Sequence, residues 1–241
     1  MTAPAKIGWG LVNYGPIWAE VYTSHLRAAA YASRTLTVEK LGGLRAIAAT
    51  ARGYIHSNEN LFAQECLNDP EMTHLFLTES DMILPDDTLP KLLAVGQPIV
   101  SGVYFLRNGW GQPCLYKKTL KQARQELWGV SPVSIFPEHQ PFRLQGCPGV
   151  GCVLIAREVF ETMAWPWFDL KEGAYGSDIY FYTQALKAGF EVWCEPAVLC
   201  GQIDYHVWDV RDYHQRLQED PEFAQHGFII GTSEEVRCDI A

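Results

Sequence analysis

A chain of 241 residues, 48% apolar and 20% charged, is long enough to bury one sizeable core and too apolar for a disordered segment. Its formal charge of −9 comes without any Lys/Arg run, which removes the usual electrostatic basis for gripping a nucleic-acid backbone or an anionic membrane. The seven cysteines form no CxxC pair, so they read as small buried hydrophobes. No apolar run reaches the ~18 residues of a membrane span, and a cytoplasmic protein is expected.

The apolar run Ile7–Val12 ends at Asn13-Tyr14-Gly15-Pro16 and reads as a first strand with its turn. Residues 17–32 carry Trp18, Val21, Tyr22, Leu26 and Ala29 at helical spacing, which predicts a helix. Gly42-Gly43 punctuates before a second apolar run, Leu44–Ala49, and residues 58–67 predict another helix, closed by Asn68-Asp69-Pro70. Leu75-Phe76-Leu77 is the centre of a continuous buried strand, followed at once by Thr78-Glu79-Ser80-Asp81. Asp86 or Asp87 is expected to cap a helix whose apolar face is Leu89, Leu92 and Leu93. Residues 98–105 read as the next strand. Such alternation predicts an α/β fold with a mostly parallel, Rossmann-like sheet flanked by helices.

Residues 107–145, rich in Pro, Gly, Trp and Gln, predict loops or a small antiparallel flap, with short strands near Leu115-Tyr116 and Val133–Phe136. The pattern then sharpens into a strand at 151–156, a short helix at 158–163, a helix at 177–188 stopped by Gly189, and a strand at 190–194. Val210–Gln218 reads as a last helix before a polar tail. No repeat or linker intervenes, so a single domain over 1–241 is expected, its core at about 5–208 and its terminal helix and tail at 209–241.

Glu79 and Asp81 are the most informative residues. They stand two apart just past a buried strand, so extended geometry turns both side chains the same way. Ligands of open α/β sheets lie beyond the carboxyl ends of the strands. Two hard oxygen donors there suit Mg²⁺ or Mn²⁺ shared with the phosphates of a nucleotide. Acidic residues also end strands as plain turn formers, so the pair takes its meaning from context. The glycines at 146, 149 and 151 lack the Gly-Lys-Ser/Thr of a P-loop, and no GxGxxG opens a helix, which disfavours a dinucleotide site. Asp178 sits in a predicted first helical turn, where the helix dipole favours it in any case, and Ser177 reads as the N-cap.

The segment Thr73 to Leu89, an apolar strand running into Glu79-Ser80-Asp81, a proline and a helix, resembles the DxD segment of GT-A fold glycosyltransferases of the family 2 type. Ile99 to Arg107 is similar to the strand that follows it there, and Gly146 to Phe160 to the family's glycine-rich turn, strand and short helix. Trp165-Pro166-Trp167-Phe168 with Gly176-Ser177-Asp178 looks like its aromatic loop and acidic helix start, and Gly189 to His206 like the strand that precedes a metal-binding histidine. The order and spacing of these pieces over residues 73–206 carry the resemblance.

What the resemblance implies is a metal-dependent transferase that moves a sugar from a nucleotide-diphosphate sugar to a carbohydrate or other hydroxyl compound. Asp81 is then the direct ligand of Mn²⁺ or Mg²⁺, and Glu79, where the family more often has Asp, touches metal, ribose or neither. Asn13, Tyr14, Gly15 and Ser80 join them on the donor side, with residues 49–52 beside the base. Gly149, Gly151, Trp167 and Ser177 face the acceptor, and Asp178 is the base or an acceptor-binding acid. The position nearest the metal-binding histidine holds Gln202, a poor ligand, which turns attention to His206 four residues on. Arg107 is read as a surface residue rather than a phosphate contact. Two rivals stand beside this reading. One is a non-catalytic carbohydrate- or nucleotide-sugar-binding relative, favoured by the Glu79 and Gln202 departures. The other is a nucleotidyltransferase, which needs a basic, Gly-rich N-terminal loop that Lys6 and Arg27 do not form.

Overall fold

The computed structural model describes residues 4–13, 15–50, 53–107, 111–118, 130–170, 176–204, 206–220, 222–223 and 228–229. The chain begins β1 (Ala5–Val12), α1 (Ala19–Val38), β2 (Gly42–Ala49), α2 (Ile55–Asn68), β3 (His74–Glu79), β4 (Met82–Ile83), α3 (Thr88–Ala94) and β5 (Ile99–Tyr104). It continues with β6 (Leu115–Lys118), β7 (Val130–Ile135), β8 (Phe142–Leu144), β9 (Gly146–Pro148), β10 (Cys152–Ala156), α4 (Arg157–Thr162) and α5 (Ser177–Lys187). Last come β11 (Val192–Ile203), β12 (Val207–Trp208), α6 (Val210–Glu219) and β13 (Phe228–Ile229).

Among the described residues the strands form two sheets. The main one runs β12-β11-β5-β10-β3-β1-β2, with β4 and β8 each also paired to β11. Strands β1, β2, β3, β5 and β11 are mutually parallel, while β10 lies antiparallel between β3 and β5. The carboxyl ends of the parallel strands and the amino end of β10 therefore share one edge. That edge gathers Asn13, Glu79, Arg107, Gln202 and the turn at 149–151, residues up to 189 positions apart in the chain.

Both faces of the sheet are covered, as a parallel sheet requires. Period-two alternation along β3 sends Leu75 and Leu77 into a core shared with α2, α4 and α5, and Phe76 into the core under α1 and α3. Each such fully buried side chain contributes about 1.5–3 kcal/mol of transfer free energy. A third cluster joins Phe105, Phe136, Phe142 and Tyr213 and holds α6 against the second sheet. That sheet, in the order β13-β7-β6-β9, stands where a small antiparallel flap is expected: β6 is antiparallel to β7 and β9, and β13 adds a parallel strand beside β7. Its strand β9 feeds the turn at 149–151.

Three expectations change. The face α1 buries is Val21, Ser24, Ala28, Ala32 and Leu36, while Trp18, Tyr22 and Leu26 are exposed at 45%, 58% and 53%. Small residues let α1 lie close over β2, beside the Trp9 ring that meets His25 at 5.5 Å. Asp87 occupies the cap position of α3 without a side-chain cap bond, because it pairs with Lys91 at 2.9 Å, and Asp86 pairs with Arg27 at 2.9 Å. The last parallel strand runs on to Ile203, through an irregularity between Glu195 and Leu199. Gly102 makes that bulge feasible: a Cβ there would lie 2.7 Å from Val198 Cγ1.

Candidate active site

The loop after β3 is held on every side by backbone bonds. Ser80 N donates to Val12 O at 3.1 Å, which ties the acidic loop to the end of β1. Met82 and Ile83 pair with Gln202 and Gly201 of β11, and Ile203 N donates to Asp81 O at 2.9 Å. From below, the His25 ring bonds Met82 O at 2.9 Å; burial pushes this imidazole down to about 4, so it is neutral and donates. Ser80 and Asp81 are both buried.

These constraints place Asp81 against two partners remote in sequence. Its Oδ2 accepts Gln202 Nε2 at 3.3 Å and forms an ion pair with Arg107 Nη1 at 2.9 Å. Arg107, read above as a surface residue, is exposed, but its guanidinium turns back onto the acid. The physical reason is the parallel register: β5 runs beside β11, so the residue just past β5 meets the loop that β11 pins.

Beside this contact lies a cavity of about 370 Å³, lined in part by Glu59, Glu79, Asp178, Ser177, Tyr104 and Tyr54. Glu79 therefore lines the cavity, while Asp81 meets Arg107 and Gln202. Burial pushes the Glu79 carboxyl above the usual range, and the charges of Asp81, Glu59 and Asp178 push it further, against the pull of Arg107. Asp178 is likewise raised by burial, opposed by backbone N–H groups; its Oδ1 accepts Ile179 N at 2.7 Å. Ser177 is the first residue of α5, with Gly176 at the cap position and no side-chain cap bond, so it is not the cap expected.

Glu59 is the residue that sequence reasoning missed. It is 0% exposed on α2, neither of its oxygens has a hydrogen-bond partner, and burial raises it to about 8. The Ser177 hydroxyl lies near enough to oppose that rise but outside hydrogen-bond geometry, and Asp178 adds to it. A signal was available: Glu59 stands with Phe62, Ala63 and Cys66 on the buried stripe of α2, where a carboxyl has no structural reason to be. Asn60 locks this helix start in place, accepting from Trp167 N at 3.0 Å and donating to Phe168 O at 2.6 Å.

Asn13 caps the β1 turn, its Oδ1 accepting Gly15 N at 3.1 Å, and its own N–H donates to Thr50 Oγ1 at 3.1 Å. Tyr14, Ala51 and Arg52 lie outside the described residues. Gly149 and Gly151 line the Tyr104 side: a Cβ at Gly149 would fall 1.7 Å from the Tyr104 hydroxyl oxygen. Trp167 is buried in the core, its Nε1 donating to Phe160 O at 3.0 Å, and the aromatic rings at the cavity are those of Tyr54, 77% exposed, and the buried Tyr104. His206 turns away from Asp81, its Nε2 bonding Asp212 Oδ1 at 2.9 Å and its ring meeting Trp208 edge-on.

Among the described residues no three His, Cys, Asp or Glu side chains converge to hold a metal ion. Asp81 with the Gln202 amide does fit a hard cation of the Mg²⁺ type, which takes one or two protein oxygens and completes its shell with water and phosphate. The buried Gln202 Oε1 has no hydrogen-bond partner and sits on the residue that touches Asp81.

No protein-family model matches the chain, and no curated protein matches it. Solved structures do. A197 from STIV superimposes with a TM-score of 0.57 at 17% identity, over 96% of this chain and 97% of that one. GalNAc-T7, solved with UDP, GalNAc and Mn²⁺, gives 0.52 at 12% identity, over 83% of this chain and 43% of that one. The fold is that of the GT-A glycosyltransferases. A glucose-1-phosphate thymidylyltransferase from Bacillus anthracis scores 0.44, too low to weigh for the nucleotidyltransferase reading. In the GT-A arrangement found here, the antiparallel β10 is what brings the glycine turn to the same edge as the acidic loop.

Proposed function

We propose that this protein transfers a sugar from a nucleotide-diphosphate sugar to a hydroxyl acceptor. The observation that carries the reading is the meeting of Asp81, Arg107 and Gln202 at the carboxyl edge, beside a cavity into which Asp178 opens. The Arg107 guanidinium holds the donor diphosphate and offsets charge that builds as it leaves. The β1 turn at Asn13 and Gly15 receives the nucleoside, and Ser80 packs beneath it. A divalent cation, Mn²⁺ or Mg²⁺, held by Asp81 and the Gln202 carbonyl, supplies further positive charge on the same phosphates when bound.

The acceptor enters past Tyr54 into the cavity, over Gly149 and Gly151. Burial raises the proton affinity of Asp178, which makes its carboxylate a stronger base than an exposed one. Its carboxylate takes the hydroxyl proton as the hydroxyl oxygen bonds the anomeric carbon and the nucleoside diphosphate departs with the bonding electrons. The six cysteines among the described residues are free and buried, which suits a reducing, cytoplasmic setting. No helix among the described residues is long and apolar enough to cross a membrane.

One observation favours a second reading. Arg107 already neutralises Asp81 within the protein, as suits a non-catalytic relative that binds nucleotide sugar without a cation. Thermal unfolding against a panel of nucleoside diphosphates, with and without Mn²⁺, separates the two. A ligand at ~100 times its Kd adds about 2.7 kcal/mol. A shift that requires Mn²⁺ and vanishes in Asp81→Ala, together with slow donor hydrolysis, supports the transferase. A shift without Mn²⁺ and without hydrolysis supports the binding relative, and no shift with any nucleotide removes both.

A further inference from the structure

The cavity is built differently from the loop beside it. It contains three carboxyl groups, Glu59, Glu79 and Asp178, and none of its described lining residues is basic. The three do not converge on a point that a bare metal ion would occupy, since no such group exists among the described residues. They are spread around a space of about 370 Å³, at the small end for an organic ligand and suited to one sugar-sized ring. Glu59 is completely buried, lines this space, and leaves both oxygens without a partner, although a buried carboxyl without hydrogen bonds costs several kcal/mol. Packing does not require a carboxyl there, because Phe62, Ala63 and Cys66, which follow Glu59 and the buried Asn58 on that face, are apolar. Two aromatic residues, Tyr54 at the mouth and Tyr104 within, complete the lining and offer the faces that cations prefer.

We propose that the cavity selects an acceptor bearing a protonated amine close to its reacting hydroxyl, an amino sugar or comparable amino alcohol, with the Glu59 carboxylate receiving the ammonium. The inference rests on the transferase reading for the identity of the cavity as the acceptor recess, and goes beyond it in naming the acceptor's chemistry. The ammonium supplies the N–H donors that both Glu59 oxygens lack and a positive charge that the described lining does not, so that its binding displaces the Glu59 proton to solvent. Held as an ammonium, the nitrogen has no lone pair and cannot attack. The hydroxyl oxygen attacks instead: its O–H bond breaks to Asp178 and its new bond forms to the anomeric carbon. Glu59 is in this scheme a specificity-determining residue, and Asp178 keeps its catalytic part.

The test is binding of glucosamine, glucose and N-acetylglucosamine at neutral pH, followed by NMR titration of wild type and Glu59→Gln. Wild type binds glucosamine roughly tenfold more tightly than glucose, the size of one charge-assisted hydrogen-bonded contact. Acetylation removes the charge and keeps the ring, so N-acetylglucosamine falls to the level of glucose or below. In Glu59→Gln the glucosamine preference collapses to within about twofold while the glucose affinity stays. Equal binding of glucosamine and glucose by wild type overturns the inference, and so does a preference that survives Glu59→Gln. The acetylated sugar needs no variant: if it binds as well as glucosamine, charge is not what is read. Nucleoside diphosphate binding in the same samples keeps the two claims apart. Nucleotide binding without an amine preference rejects this inference alone, whereas an amine preference without nucleotide binding supports the inference and removes the transferase.

Discussion

Asp81 and Glu59 are both buried carboxyls near the same sheet edge, and their surroundings treat them in opposite ways. Asp81 lies where three chain segments meet, and two of them answer its charge, Arg107 at 2.9 Å and Gln202 at 3.3 Å. Glu59 sits on the apolar stripe of one helix, faces other acids, and has no partner for either oxygen. Sequence chemistry alone does not separate the two. A carboxylate with its counter-charge in place is ready to hold phosphates, whereas one without is either a destabilising residue or half of a contact that a ligand completes.

The largest way to break this contrast is Asp81→Asn. Removing the charge that Arg107 and a cation share should lower transfer or donor hydrolysis by ~100-fold or more, measured as kcat/KM. Arg107→Ala attacks the same pair from the other side and leaves Asp81 buried without its cation. Denaturant unfolding should show a loss of about 1–2 kcal/mol, reduced from the fully buried case because the guanidinium is partly solvated. An unchanged midpoint would mean that the pair contributes nothing to folding.

Acid and alkali should load the two regions separately. Unfolded Glu59 ionises near 4.5 and folded Glu59 near 8, so its contribution is full below 4.5 and is lost as pH rises toward 8. Glu59→Gln should therefore stabilise the protein by about 1–3 kcal/mol at pH 8 and by nothing at pH 4. A variant less stable than wild type at pH 8 would show that Glu59 holds the fold. His25, under the Asp81 loop, works in the reverse sense. Its folded value of about 4 lies below the unfolded 6.5, so stability is present above 6.5 and is lost as pH falls toward 4. His25→Gln should flatten that acid limb by about 1–2 kcal/mol, read from melting temperatures across the range. The smallest effect belongs to His206→Ala, under about 0.5 kcal/mol and without change in any Mn²⁺-dependent nucleotide shift, since that ring faces Asp212. A lost shift would bring His206 into the metal site.

Local pattern was enough to read the strand before Glu79, the helix before Gly189 and the glycine turn at 149–151, because each is specified by apolar periodicity or punctuation within a few residues. It failed where two readings shared one pattern. Trp18, Tyr22 and Leu26 have helical spacing as good as the small residues that α1 actually buries, and the choice is made by Trp9 on the neighbouring strand. Trp167 reads equally well as a sugar platform or a core ring until its Nε1 is seen to bond Phe160 O and Met163 O.

Spacing along one dimension is enough to specify an α/β chain with an acidic loop past a buried strand and a glycine turn downstream. The tertiary structure decided what each acid faces. Inserting β10 antiparallel between β3 and β5 carries the glycine turn to the acidic edge, and pairing β4 with β11 sets Gln202 on Asp81 across 121 residues. The rotation of α2 sends Glu59 inward to Asp178 rather than out to water. Charge interactions depend on distance through space, and that distance becomes defined only when the sheet closes.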